Sequence, residues 1–216
     1  MQTLEHLSPS DRISGAWCNS DIVISAVLEA LSFATPPLER FFIRTVSDAM
    51  RNLHESATKS RAREFVQEES QHSGAHRRFN RALAGYLQGR PPGLRQIESV
   101  LDLAAARLAP STRLLSVELM EQGSALASSA YLRCESRLTF DCPFARHLFA
   151  QHAREEIGHA TVIRDLRGAP RISDLFVKTA ACAVIAAAGI AYLAVAVPWI
   201  ILRKGRVRRL NKEVPE

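Results

Sequence analysis

The chain has 216 residues, of which 23% are charged and only 6% aromatic, and its formal net charge is +6. This length suits one domain with an appendage, and the abundance of Ala, Leu, Arg and Glu favours helix over sheet. Much of the positive charge lies in the last residues, so the net charge reflects a basic tail and does not indicate a basic binding surface. Nucleic-acid binding is therefore not expected.

Proline and glycine divide the chain into a series of predicted helices. The apolar stretch Ile22–Phe33 is followed by Pro36 and Pro37, which predict the end of a short helix and the start of a second one reaching about Leu53. Three further helical segments are predicted: about Thr58–Leu87, about Leu94–Glu135 with a break at Pro110, and about Asp141–Leu166. Four long helices joined by short loops predict an all-α fold, a four-helix bundle.

The C-terminal segment Thr179–Leu202 contains no charged residue. At ~1.5 Å per residue such a helix covers roughly 36 Å, enough to cross a hydrocarbon core of ~30 Å. Trp199 and a cluster of basic residues follow at its end, which is typical of a lipid interface. We therefore expect membrane lipid to be a partner of this helix; a fifth helix buried against the bundle is the alternative.

These patterns divide the chain into four parts: residues 1–34, a lead-in with a short helix; 35–170, the bundle; 171–203, the hydrophobic helix; and 204–216, a basic tail. The N-terminal residues lack an apolar signal core, so we expect the bundle to lie in the cytoplasm and to be membrane-associated through the C-terminal helix. The four cysteines are scattered without a C-x-x-C pair, which is typical of a reduced compartment. The pattern leaves the oligomeric state open.

Two Glu-x-x-His pairs, Glu69 with His72 and Glu156 with His159, are the residues that indicate chemistry. Positions three apart on a helix share a face, so each pair points a carboxylate and an imidazole in the same direction. Carboxylate and imidazole together bind first-row metal ions. One such pair alone is weak evidence, because both residue types are common on solvated helix faces.

Each pair has a possible partner on the preceding helix, Glu39 for the first pair and Glu121 for the second. The chain thus repeats the order glutamate, hairpin, Glu-x-x-His, and bundles that hold two metals need these additional glutamates. Burying a carboxylate on an apolar stretch is costly unless it is paired or metal-bound. The pattern predicts two metal ions held by six ligands: Glu39, Glu69, His72, Glu121, Glu156 and His159. Two coincidental pairs with solvated glutamates are the alternative.

Further polar residues on the same faces are candidates for hydrogen bonds to these ligands. They are His76, His152, Asp165 and Asn80. Glu68 and Glu155 point about 100° away from Glu69 and Glu156 on an ideal helix and are expected to be solvated; the alternative is a shift of the ligand by one residue to either of them. Glu118, one turn before Glu121, is the rival for the role of Glu121.

Three stretches of the sequence resemble a bacterial family of predicted metal-dependent hydrolases. Pro36–Phe42 is similar to that family's P-x-G-E-x-F-F motif, Phe65–His76 with Asn80 to F-x-x-Q-E-x-x-H-x-x-x-H-x-x-x-N, and His152–His159 with Asp165 to H-x-x-E-E-x-x-H. The resemblance implies a ferritin-like bundle with a hydrophobic tail and the same six metal ligands, with His76 and His152 as additional groups. Three positions depart from the pattern without deleting a ligand: Leu38 replaces a glycine, Glu68 a glutamine and Gln122 a histidine.

Three functions fit these predictions. The first is a di-iron oxidase or oxygenase acting on an apolar or lipid-like substrate at a membrane, because iron in a carboxylate-rich site activates dioxygen. The second is a metal-dependent hydrolase, in which two metals activate water. The third is a non-enzymatic metal-binding membrane protein. Iron is the expected metal, with manganese and zinc as alternatives.

Overall fold

The computed structural model describes residues 7–9, 13, 15–51, 53–168 and 174–213. Its described residues are predominantly helical, which confirms the predicted all-α class, and one isolated β-bridge joins Cys18 to Phe140 within them. The helices are α1 Ile22–Met50, α2 Ala57–Leu87, α3 Leu94–Arg107, α4 Pro110–Cys134, α5 Pro143–Glu155, α6 His159–Arg167 and α7 Asp174–Glu213. Short 3-10 turns, Glu135–Arg137 and Glu156–Gly158, follow α4 and α5.

Helix α1 continues through Pro36 and Pro37, so the prediction of two helices separated there is wrong. Proline has no N–H to donate to the carbonyl four residues earlier, which for Pro36 is that of Ser32. The side-chain amide of Asn80 on α2 supplies this missing donor at 2.7 Å. A neighbouring helix therefore satisfies the carbonyl that the proline leaves without its helical partner, and α1 does not have to end.

Helices α2, α3 and α4 follow the predicted boundaries closely. Ser56 caps α2, accepting a hydrogen bond from the backbone N–H of Lys59, and Gln88 ends it in the left-handed conformation at φ 52°. The prediction of a break at Pro110 is confirmed, because α3 ends at Arg107 and Pro110 opens α4.

The last bundle segment is not one regular helix. It was expected to run without interruption to about Leu166, but the 3-10 turn Glu156–Gly158 separates α5 from α6. Since a 3-10 turn winds more tightly than an α-helix, the side chains on either side of it are rotated relative to an ideal helix. The second Glu-x-x-His pair lies at this turn.

Two apolar clusters flank the middle of α2. Phe65 belongs to one cluster with Phe41, Val117 and Ile163, while Phe79, one helical segment later, belongs to another with Trp17, Phe144 and Phe149. Between Phe65 and Phe79 the buried residues of α2 are polar. The core therefore has a polar layer between two apolar layers.

Helix α7 contacts the other helices through one stripe of its surface. Tyr192, Ala196, Ile200 and Lys204 recur every fourth position and are buried, and the Tyr192 hydroxyl donates to the carbonyl of Ala30 at 3.0 Å. Most of the preceding part, residues 179–191, is exposed.

Lys204, whose ammonium is buried, was expected to belong to the basic tail that follows the hydrophobic helix. It forms an ion pair with the buried Glu29 and donates to the carbonyl of Gly15 at 2.7 Å, and Trp17 donates its indole N–H to the same Glu29. This network anchors the end of α7 on α1. The predicted division between residues 203 and 204 falls inside α7, and the one between 170 and 171 lies outside the described residues.

Candidate metal centre

The six predicted ligands come together in the polar layer of the core, and each is at most 4% exposed. They are Glu39 from α1, Glu69 and His72 from α2, Glu121 from α4, Glu156 from the 3-10 turn and His159 from α6. The rings of Phe65 and His159 lie 4.8 Å apart, so an apolar wall closes one side of the layer.

The donor atoms form two groups, each with its atoms within 4.8 Å of one another. Glu39, His72 and His152 form the first group, and Glu69, Glu156 and His159 the second. Glu121 joins the second, with its Oε2 3.6 Å from Nδ1 of His159. The groups adjoin at Glu156, whose Oε1 lies 3.3 Å from Nε2 of His152 and 3.7 Å from Nδ1 of His159.

His152 was expected to support the ligands, but the structure places it among them. Its ring centroid lies 4.6 Å from that of His72, and its Nδ1 lies 4.0 Å from Oε1 of Glu39. The signal was in the sequence, because His152 precedes Glu156 by one helical turn and the two share a face.

Glu68 and Glu155, expected to be solvated, each bind the histidine of the opposite pair. The Oε2 atom of Glu155 lies 2.5 Å from Nε2 of His72, and Oε2 of Glu68 lies 3.0 Å from Nε2 of His159. In both histidines Nδ1 faces the cluster while Nε2 faces the outer carboxylate. Histidines that bind metals are commonly oriented in this way, by a carboxylate on the nitrogen that does not bind the metal.

His76 is held by a short chain of hydrogen bonds. Ser32 donates its hydroxyl hydrogen to Oδ1 of Asn80 at 2.7 Å, so its oxygen accepts from Nδ1 of His76 at 2.8 Å. The proton of neutral His76 is therefore on Nδ1, and Nε2 carries a lone pair. This Nε2 is buried and has no hydrogen-bond partner among the described residues, and the His76 ring lies 5.0 Å from that of His152.

Two other acidic residues lie outside the cluster. Asp165, expected to support a histidine, forms an exposed ion pair with Arg61. Glu118, the rival of Glu121, is buried against Arg164 and Arg167, with its Oε2 2.7 Å from Nε of Arg167. Glu121 therefore takes the place in the cluster, and Glu118 neutralises arginines one turn away.

Several buried ligand atoms have no hydrogen-bond partner within the described part of the chain. Both carboxylate oxygens of Glu39, Glu69 and Glu121 are in this state, as is Nδ1 of His72 and of His159. Nδ1 of His159 lies 2.9 Å from Oε1 of Glu69 but lacks the angle of a hydrogen bond. An unpartnered buried polar atom costs about 1–3 kcal/mol, and more if it is charged. Metal cations would satisfy these oxygen and nitrogen donors together, so the residues fit a metal site.

Burial and mutual repulsion shape the charges of the carboxylates. Burial and the charge of Glu69 raise the pKa of Glu39 well above its ordinary value, and burial raises the pKa of Glu121 to about 8. Burial also disfavours charge on Glu156, but the close imidazoles of His159 and His152 outweigh it and lower its pKa to about 2. Burial, with the charges of His152 and His72, lowers the pKa of His76 well below its ordinary value, so this imidazole is neutral.

No curated protein and no solved structure gives a significant match to the chain. A family model described as "Predicted metal-dependent hydrolase" matches residues 6–214. This match covers the candidate ligands, α7 and both Glu-x-x-His pairs. The chain therefore belongs to the family of predicted metal-dependent hydrolases.

Proposed function

We propose that the chain is a hydrolase that uses two metal ions and acts next to a membrane. The observation that carries the proposal is the pair of adjoining donor groups in a buried layer, with carboxylate oxygens that have no other partner. Membership of the metal-dependent hydrolase family favours hydrolysis over the oxidase that the sequence pattern suggested first.

The two groups differ in their donors. Glu39, His72 and His152 would hold one ion, with two imidazoles and one carboxylate, a set that hydrolytic zinc sites use with an open position for water. Glu69, Glu121, Glu156 and His159 would hold the other, with more carboxylates, which suits manganese or iron.

When bound, a metal pair supplies an acidified water and stabilises the negative charge that develops on a substrate oxygen. The chain's own residues prepare the site for this. His76 is neutral because it is buried, and Ser32 with Asn80 keeps its lone pair on Nε2, so it can accept a hydrogen bond beside His152. Glu68 and Glu155 hold the imidazoles of His159 and His72 in place.

A di-iron oxidase or oxygenase is the second candidate. The observation that favours it is the four-carboxylate content of the two groups, since iron prefers oxygen-rich sites and its redox chemistry needs a dry cavity such as this buried layer. A non-enzymatic role in metal storage or sensing would use the same ligands without a substrate.

Helix α7 supports the proposed membrane location. Within the described residues two helical stretches, Ile22–Met50 and Lys178–Leu210, are long and apolar enough to cross a membrane. Half of the apolar window of the first is buried in the protein, as in a core helix, but little of the second is buried. A membrane surface would cover the apolar face that α7 leaves exposed, and it would bring lipid-like or other apolar substrates close to the bundle.

Metal analysis combined with activity assays on the protein purified in mild detergent tests the proposal. Bound metal with esterase or phosphatase turnover that a chelator abolishes supports the hydrolase. Two irons per chain whose absorption spectrum changes on adding oxygen to the ferrous protein, without hydrolytic turnover, would replace it by the oxidase. Stoichiometric metal without hydrolytic turnover and without an oxygen-dependent spectral change would support the non-enzymatic role in metal storage or sensing.

A further inference from the structure

A cavity of about 560 Å³ lies on the outer side of the metal-ligand helices. It is formed by α1 and α2, with contributions from the loop after α2 and from α3. The charged residues that line it are five arginines and one glutamate: Arg40, Arg44, Arg77, Arg81, Arg90 and Glu98. None of the candidate metal ligands lines it, so it is separate from the metal centre.

The positive charge of this cavity is only partly neutralised. Arg90 lies 3.2 Å from the carboxylate of Glu98 and Arg40 lies 4.0 Å from that of Asp102. Within the described residues no carboxylate oxygen lies within 4.0 Å of Arg44 or Arg81. Guanidinium groups that converge without acidic partners are the typical recognition elements for carboxylate and phosphate.

Part of the wall of this cavity is apolar. Phe33, Pro36, Pro37 and Ile43 of α1 line the same cavity. A small inorganic anion would use the arginines alone, whereas a ligand with an apolar part would also cover this surface. The combination therefore fits an amphiphilic anion.

Residues that line the cavity adjoin both the metal centre and α7. Ser73, which accepts a hydrogen bond from Arg77 at 2.5 Å, lines the cavity and directly follows His72. The loop that carries Arg90 packs on α7, because Gly89 lies against the ring of Trp199 and Gly93 against that of Tyr192. A lipid-like anion close to α7 would thus reach a cavity whose wall is the back of the metal-ligand helices.

We propose that this cavity binds the carboxylate or phosphate group of an amphiphilic molecule, with Arg44 and Arg81 as the main anion contacts. The apolar part of the molecule lies along Phe33 and Ile43. That this molecule is the substrate rests on the proposed metal-dependent activity, whereas anion binding itself does not.

Calorimetric titration of the full-length protein in non-ionic detergent tests the proposal with four probes: hexyl phosphate, hexanoate, hexanol and inorganic phosphate. Hexyl phosphate and hexanoate are expected to bind, hexanol not, and inorganic phosphate more weakly than hexyl phosphate. Because charged hydrogen bonds are lost, the double variant Arg44→Gln with Arg81→Gln is expected to bind hexyl phosphate at least about tenfold more weakly. The double variant Arg133→Gln with Arg137→Gln removes the same charge at two exposed residues that do not line the cavity, so it should bind as the wild type does.

Each opposite result would overturn the proposal. Equal affinity of hexyl phosphate for the Arg44/Arg81 variant would remove the cavity as the site, and equal affinity for inorganic phosphate would show that free phosphate is the ligand and exclude the amphiphile. Repeating the titration on chelator-treated protein separates this proposal from the metal centre. Hexyl phosphate binding that persists without metal supports the cavity, and binding that disappears with the metal would place the ligand at the metal centre.

Discussion

Each histidine of the two Glu-x-x-His pairs has a second carboxylate on its outer nitrogen. Glu155 holds His72 and Glu68 holds His159, so the two pairs are joined crosswise between α2 and the segment α5–α6. Such partners fix the tautomer and the ring orientation of a metal-binding imidazole. The symmetry of the two contacts agrees with the twofold repeat of the sequence.

Replacing these outer carboxylates tests their role. Glu68→Gln and Glu155→Gln are each expected to lower metal affinity about 10–100-fold while leaving the number of sites unchanged, because every proposed ligand remains. Competition with a chromogenic chelator measures the affinity. Glu64→Gln, an exposed change on α2, is the matched control. Unchanged affinity in both outer variants would mean that these contacts do not orient ligands.

The carboxylates also predict how metal-free stability depends on pH. Burial raises the pKa of Glu121 from 4.5 to about 8, so the folded chain binds a proton that the unfolded chain has lost between these values. The free energy of unfolding of the metal-free protein should therefore fall as pH rises from 5 to 8. Metal binding displaces that proton, so the increase in melting temperature caused by metal should grow over the same range. A metal effect that shrinks with rising pH would contradict this.

For the individual residues, the sequence indicated which side chains share a helix face. It did not indicate which carboxylates bind the outer nitrogens of the histidines. Faces on one helix follow from spacing, which is why Glu69 and His72 could be placed on the same side of α2. The contacts of Glu68 and Glu155 cross from one helix to another, and their geometry depends on the 3-10 turn that rotates the second pair. No spacing rule within a helix contains that information.

Among the elements, α1 shows how a neighbouring helix overrides a local signal. The two prolines predict a break, but Asn80 donates to the carbonyl of Ser32 and accepts from its hydroxyl. The donor lies far along the chain on α2, so its effect could not be predicted from the proline dipeptide. The boundaries of α2, α3 and α4 were predictable because their caps and prolines act locally.

Removing this amide tests the account of α1. Asn80→Ala is expected to destabilise the protein by about 1–3 kcal/mol, because the buried carbonyl of Ser32 loses its donor. Adding Pro36→Ala should recover part of the loss, since residue 36 then supplies its own N–H. Urea denaturation of the metal-free protein measures both, with the exposed Gln67→Ala as control. No recovery in the double variant would show that the amide acts in another way.

At the scale of the whole molecule, α7 combines a buried stripe with a large exposed apolar surface. The sequence predicted its hydrophobicity but not its extent, since α7 has 40 residues, Asp174–Glu213, where a segment over 179–202 was expected, and it assigned Lys204 to a basic tail. Because Lys204 pairs with Glu29, whose position on α1 gave no sign of a basic partner, the attachment of α7 to the bundle became visible only in the structure. The ferritin-like relationship and the domain boundaries stay predictions.

Charges on the exposed face of α7 test membrane binding. Val184 and Ile190 are 66% and 69% exposed, so Val184→Asp with Ile190→Asp should leave the fold intact and abolish flotation with lipid vesicles. A charge at these positions would have to be buried in the apolar part of the membrane, which is unfavourable. Leu126→Asp on α4, equally exposed, should float as the wild type does. Undiminished flotation of the α7 variant would exclude this face as the membrane contact.

Elemental mass spectrometry of the purified protein gives the metal content per chain and so shows whether the buried polar layer holds two metal ions. We predict two metal ions per chain in the wild type, and a loss of most of this metal when Glu69→Ala is combined with Glu156→Ala, because both donor groups adjoin these carboxylates. Glu118→Gln, which changes a buried glutamate bound to arginines, should keep the metal. Metal-free wild type, or full metal content in the Glu69/Glu156 variant, would contradict the account.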